Sequence, residues 1–133
     1  MLALTVPTAS REQLVDMTAE VNRALASLGA GDGLCHLWCP HTTAALAVNE
    51  GADPDVASDV LSALRRIVPT GGYRHAEGNS PAHVKSVLAG PFLLLPVRAG
   101  RLALGTWQSV FLCEFDGPRN RRVEIRFIPL EGA

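Results

Sequence analysis

The chain has 133 residues, 47% of them hydrophobic and 19% charged, which suits one domain, residues 1–133, with a single core. A formal net charge of -1 with no run of Lys or Arg excludes the electrostatic footprint of a nucleic-acid binder and a polybasic membrane anchor. The three cysteines, Cys35, Cys39 and Cys113, are odd in number, against a secreted disulfide framework, so the expected setting is the cytoplasm.

The opening MLALTVPTAS lacks a basic leader and a long apolar stretch, so no signal peptide is expected. No segment approaches the roughly 18 apolar residues of a membrane span. LALTV reads as an extended run, which Pro7 limits in pairing. REQLV alternates, so a short hairpin with the first run is expected; the competing reading is a helix from Ser10 with Gln13 closing a capping box. The first helix is placed from Thr18, where Val21, Leu25 and Leu28 share one face, and Gly29 and Gly31 stop it.

GLCHLWCP and TTAALAV read as strands with a break at Pro40–His41. GADPDV is a helix start: Asp53 caps, Pro54 takes the first helical position and Asp55 faces the dipole. Val56, Val60, Leu61, Leu64 and Ile67 then keep helical spacing until Pro69. A polar loop runs from Thr70 to Ser80, and Asn79 or Ser80 caps a third helix that ends before Gly90. FLLLPV and GRLALGTWQSVFLCEF are β-like around a turn at Arg98–Ala99–Gly100, and VEIRFI alternates as a last strand. Short turns between these strands make the sheet largely antiparallel, so the class is α+β with about three helices.

Chemistry concentrates in two stretches. YRHAEGNSPAH holds His75 and His83 with Asn79 between them, and His83 falls in the first turn of its helix, where free N–H groups favour an anion. With His41 these are candidate metal ligands, since zinc takes neutral imidazoles and leaves a position open for water or substrate. The alternative is that each histidine is a surface or hydrogen-bonded core residue and Asn79 a helix cap. In HTTAALAVNE, the hydroxyls of Thr42 and Thr43 and the Asn49 amide can bind a phosphate or polar substrate, with Glu50 as a supporting residue or general base. The other reading is strand formers with a polar end. Cys39 and His41 could chelate together, although buried cysteines usually pack as small hydrophobes, and His36 sits among apolar strand residues. Trp107 and Gln108 offer an indole face and an amide inside an apolar run.

The order HTTAALAVNE, DPDV, YRHAEGN–AH and GRLALGTWQSVFLCEFDGPRNRRV resembles the YjbQ family over nearly the whole chain. The resemblance implies a homotrimer with a mixed α+β fold and a pocket of His41, His75, His83 and Glu50, with Asn79, Trp107 and Gln108 on its wall. Ala76 stands where relatives often carry an acidic or polar residue. It also implies a secondary thiamine-phosphate synthase activity, joining a pyrimidine diphosphate to a thiazole phosphate with release of pyrophosphate. On that expectation a divalent metal, zinc or magnesium, sits on His41, His75 and His83; Glu50, His41 and His83 are catalytic, and the substrate is a small phosphorylated molecule. The alternatives are a metal-dependent hydrolase of a small phosphorylated or carbonyl substrate, and a trimer that binds a metal or metabolite without turnover.

Overall fold

A computed structural model describes residues 1–131, and the secondary structure among them is β1 (Leu2–Pro7), β2 (Gln13–Asp16), α1 (Thr18–Ser27), β3 (Gly33–Trp38), β4 (Ala44–Glu50), α2 (Pro54–Ile67), α3 (Ser80–Ala89), β5 (Phe92–Arg98), β6 (Arg101–Leu102), β7 (Gln108–Glu114) and β8 (Asn120–Pro129). The strands form a five-stranded sheet in the order β1-β8-β3-β5-β6 and a three-stranded sheet in the order β2-β7-β4. Every pairing is antiparallel, so the α+β expectation holds. No helix among the described residues is long and apolar enough to cross a membrane.

The main core fills the space between the two sheets. Cys35 and Leu37 of β3, Leu46 of β4, Leu112 of β7, Val123 and Ile125 of β8, and Val21 and Leu25 of α1 meet there. The other face of the small sheet, with Ala45 and Cys113, is covered by Ala82 of α3 and by Leu61 and Leu64 of α2. Ala44 to Leu46 of β4 and Val110 to Glu114 of β7 are therefore buried whichever face they point to, which is why TTAALAV and SVFLC read as continuous apolar runs and do not alternate.

Two expectations about connectivity change. The first two segments do not form a hairpin: β1 pairs with β8 in one sheet and β2 with β7 in the other. The five residues between Pro7 and Gln13 cross between sheets, and β8, ten residues long and inside the sheet, offers β1 a longer partner than β2, which has four. The apparent strand from Arg101 to Phe115 is likewise broken, since β6 ends in the large sheet and β7 begins in the small one.

Asp53 caps α2 by accepting the Asp55 N–H at 2.9 Å, as its sequence requires. Asn79 precedes α3 but makes no capping bond with its side chain. Its amide instead donates to Asp116 Oδ2 at 3.0 Å, a partner 37 residues downstream. Ile67 closes the apolar row of α2 yet is 68% exposed, and Val68, just past the helix end, is buried instead.

Candidate functional site

The loop before α3 folds back on the helix. Tyr73 Oη donates to the Pro69 carbonyl, and the Ser80 hydroxyl and His75 Nδ1 are hydrogen-bonded at 3.1 Å. This holds the His75 ring edge-to-face with His83, at 5.4 Å between centroids and an interplanar angle of 87°. The remaining nitrogen of His75, Nε2, lies 3.8 Å from the Glu77 carboxylate. Tyr73, His75, Ser80, His83 and Val84 enclose one shallow cavity of about 320 Å3.

His83 also borders a second cavity of about 320 Å3, shared with His41, Thr42, Ser86 and Val87. The three histidines are thus strung along one flank of α3. The Ser86 hydroxyl is buried with no partner among the described residues, as is Asn79 Oδ1. Buried polar atoms without partners are rare in native folds, and ligand atoms are one way they become satisfied.

His41 is held differently. Its Nε2 accepts the Arg122 backbone N–H at 2.9 Å, which uses the single lone pair of the neutral ring. Burial, followed by the nearby positive charge of Arg121, keeps its pKa below the ordinary imidazole value. His41 is therefore a neutral ring anchored to β8, and the nitrogen it would offer a metal is taken.

Asn49, Glu50, Trp107 and Gln108 do come together, but at the opposite end of the small sheet. Glu50 pairs with Gln108 in the β4–β7 register and Ala44, near His41, pairs with Glu114. Six residues of extended chain, about 20 Å, separate those ends. Glu50 Oε2 accepts the N–H groups of Ala52 and Asp53 at 2.8 and 3.3 Å, and Gln108 Oε1 accepts from Gly105 at 2.8 Å. Trp107 is 65% exposed, and its carbonyl accepts from Gly51. The expectation that Glu50, Trp107 and Gln108 line the histidine pocket is corrected within one chain: their polar atoms stabilise the turn into α2 and the turn before β7.

Thr43 is also redirected. Its hydroxyl and carbonyl accept from Arg121 Nη2 at 2.8 and 3.1 Å, inside the protein. Arg121 is paired with Glu114 through Nε at 3.0 Å, and both side chains are almost fully buried. Burial alone would raise the Glu114 pKa, but hydrogen bonds from Arg121 and Thr8 outweigh it and hold the carboxyl below its ordinary range. Only Thr42, exposed at the cavity beside His41, remains free to meet a ligand.

A divalent metal does not fit the three-histidine set in one chain. No group of three His, Cys, Asp or Glu residues among those described could hold one, and His41 has no free lone pair. The cysteines are no substitute: all three are buried, and burial pushes Cys35 and Cys113 up to about 12.

The family model described as "UPF0047 protein YjbQ-like" matches residues 3–129. The UPF0047 protein YugU of Bacillus subtilis is 42% identical over 127 residues, which span 94% of this chain and 96% of that protein. A crystal structure of an uncharacterized conserved protein of the YjbQ/UPF0047 family from Clostridium acetobutylicum superposes with a TM-score of 0.93 at 42% identity, covering 96% of this chain and 100% of that one. A conserved hypothetical protein from Thermus thermophilus gives a TM-score of 0.90 at 49% identity, with the same coverage. These names carry no activity, and none of the three is described as a thiamine-phosphate synthase. The synthase expectation is corrected accordingly, and the separation of Glu50 from the histidines removes its structural basis within the chain.

Proposed function

The chain belongs to the YjbQ-like UPF0047 family, and from that premise we propose that it binds a small phosphorylated molecule at the His75–His83 pair and moves a proton on it. The edge contact between those two rings carries the reading. Imidazole changes charge within the physiological range, so one ring can meet a phosphate oxygen as a cation while its neighbour offers a lone pair. The first turn of α3 supports an anion there: it is the positive end of the helix dipole and carries the Ser80 hydroxyl and no acidic residue, while the Ala82 and His83 N–H groups are spent on the Asn79 carbonyl. His41 and Thr42 close the far side of the cavity, with His41 as a fixed neutral wall.

The test follows the histidine ring signals by NMR while glycerol phosphate is added. Signals of both His75 and His83 are expected to move together, and His83→Ala is expected to abolish the shift of His75. Rings that do not respond to the ester at millimolar concentration defeat the reading.

We propose also that copies of the chain associate through the outer face of the large sheet, as the homotrimer that the family resemblance implies. In support, Trp38, Phe92, Leu94 and Ile128 are each 39–53% exposed on one uncovered face. Trp38 lies opposite Phe92 and Leu34 opposite both Pro96 and Ile128, so the side chains form one patch. Three free thiols support a reducing, cytoplasmic setting.

A further inference from the structure

A separate cavity of about 400 Å3 opens where the segment before β2, the end of α2 and α3 meet. Its wall carries Arg11, Arg65 and Lys85 against a single carboxylate, Glu12, so two positive charges are left over. Val68 and Phe115 form an apolar side.

Lys85 is the unusual member. It is 6% exposed, and its ammonium makes one hydrogen bond, to Glu12 Oε2 at 2.6 Å. An ammonium has three donors, so two N–H groups of a buried cation are uncommitted among the described residues. Glu12 spends its other oxygen on Arg65 Nη1 at 2.9 Å, and Arg11 has no ion-pair partner or side-chain hydrogen bond among the described residues. A buried charge with donors to spare is costly unless something else satisfies it. Two surplus charges, uncommitted ammonium protons and two guanidinium forks are the complement of a dianionic oxyanion. The volume lies within the range of ligand pockets, about 300–1,000 Å3, and exceeds the needs of an inorganic ion.

We propose that this pocket is a second ligand site, for a phosphomonoester whose phosphate lies among Arg11, Arg65 and Lys85 and whose organic group rests on Val68 and Phe115. Glu12 presents Lys85 and Arg65 to the phosphate and competes with it for their protons. Lys85 follows His83 by two positions, about 200° around the helix, so the site opens on the opposite flank of α3 from the histidine pair. It stands whether or not that pair binds a ligand.

The test is calorimetric titration of phenyl phosphate into the His75→Ala/His83→Ala chain, which removes the first site. Binding is expected to persist there, to weaken about tenfold in Arg11→Gln or Arg65→Gln, and to tighten when Glu12→Gln removes the competing carboxylate. Arg11 and Arg65 are exposed, so those two substitutions leave the core untouched. Absence of binding, or an affinity indifferent to both arginines and to Glu12, overturns the site. Equal affinity for benzoate overturns the choice of phosphate.

Discussion

The Arg122 backbone N–H donates to His41 Nε2 at 2.9 Å, which turns a residue suited by type to metal binding into a strut between the β3–β4 connection and β8. Protonation of that ring would break the strut and add a cation beside Arg121. Its folded pKa is depressed, so the unfolded chain takes up the proton first as pH falls. Stability from His41 is present above the ordinary imidazole pKa of about 6.5 and is lost as pH drops through the folded value. Urea midpoints measured from pH 7.5 to 5.5 are expected to fall, with a shallower slope in His41→Gln. Equal slopes for the two chains would rule out this linkage.

The Glu114–Arg121 pair makes a second expectation about stability. Arg121→Leu leaves a carboxylate buried with, among the described residues, only Thr8 and the Asp116 N–H as partners, at a cost of about 3–5 kcal/mol. Replacing both members with leucine should cost less than that single change, because no unpaired charge remains. Guanidinium denaturation of the two variants decides the matter. The pair also weakens in acid: Glu114 has a lowered folded pKa, so its contribution holds above about 4.5 and is lost as pH falls through the folded value.

Gly51 separates the two ends of the small sheet experimentally. A Cβ there would overlap both Cβ and Oγ of Ser109, so Gly51→Ala forces β4 and β7 apart at their Glu50 end. A loss of about 1–3 kcal/mol is expected, with glycerol phosphate binding at the histidines unchanged. Binding that disappears while the chain stays folded would return Glu50 and Trp107 to the site.

For self-association, Phe92→Glu/Leu94→Glu places two carboxylates on the uncovered sheet face. Light scattering is expected to give a trimer for the parent chain and a monomer for the variant, with matching circular dichroism. A parent chain that runs as a monomer at micromolar concentration removes the proposal.

What could be read without coordinates follows the range of the interactions. Asp53–Pro54–Asp55 announces α2 because cap, first-turn proline and dipole act within three residues. Asn79 has the same local credentials, yet Asp116 takes its amide, and no local pattern points to a partner 37 positions away. The Glu114–Arg121 pair carries no sequence signal for a related reason: both residues flank the turn FDGPRN, where charges normally mark solvent. The histidines are candidates by type and position, while their meeting in one pocket is an expectation of the family resemblance; His75 and His83 line one cavity and His83 and His41 another. Glu50 and Trp107 share a neighbourhood with each other, as strand partners, and not with the histidines. The apolar sheet patch was invisible as a stripe because its members come from β3, β5 and β8, spread over some ninety positions.

The buried thiols make the chain a recorder of its own opening. Cys35 lies in the large sheet and Cys113 on the helix-covered face of the small one, and both are held near 12, so neither reacts with an alkylating reagent while its sheet is closed. Labelling the two at equal rates means the sheets come apart as one unit; faster labelling of Cys113 means α2 and α3 lift away before the shared core yields. Since both proposed ligand sites lie on α3, a phosphate ester that slows labelling of Cys113 alone would show which part of the molecule its binding tightens.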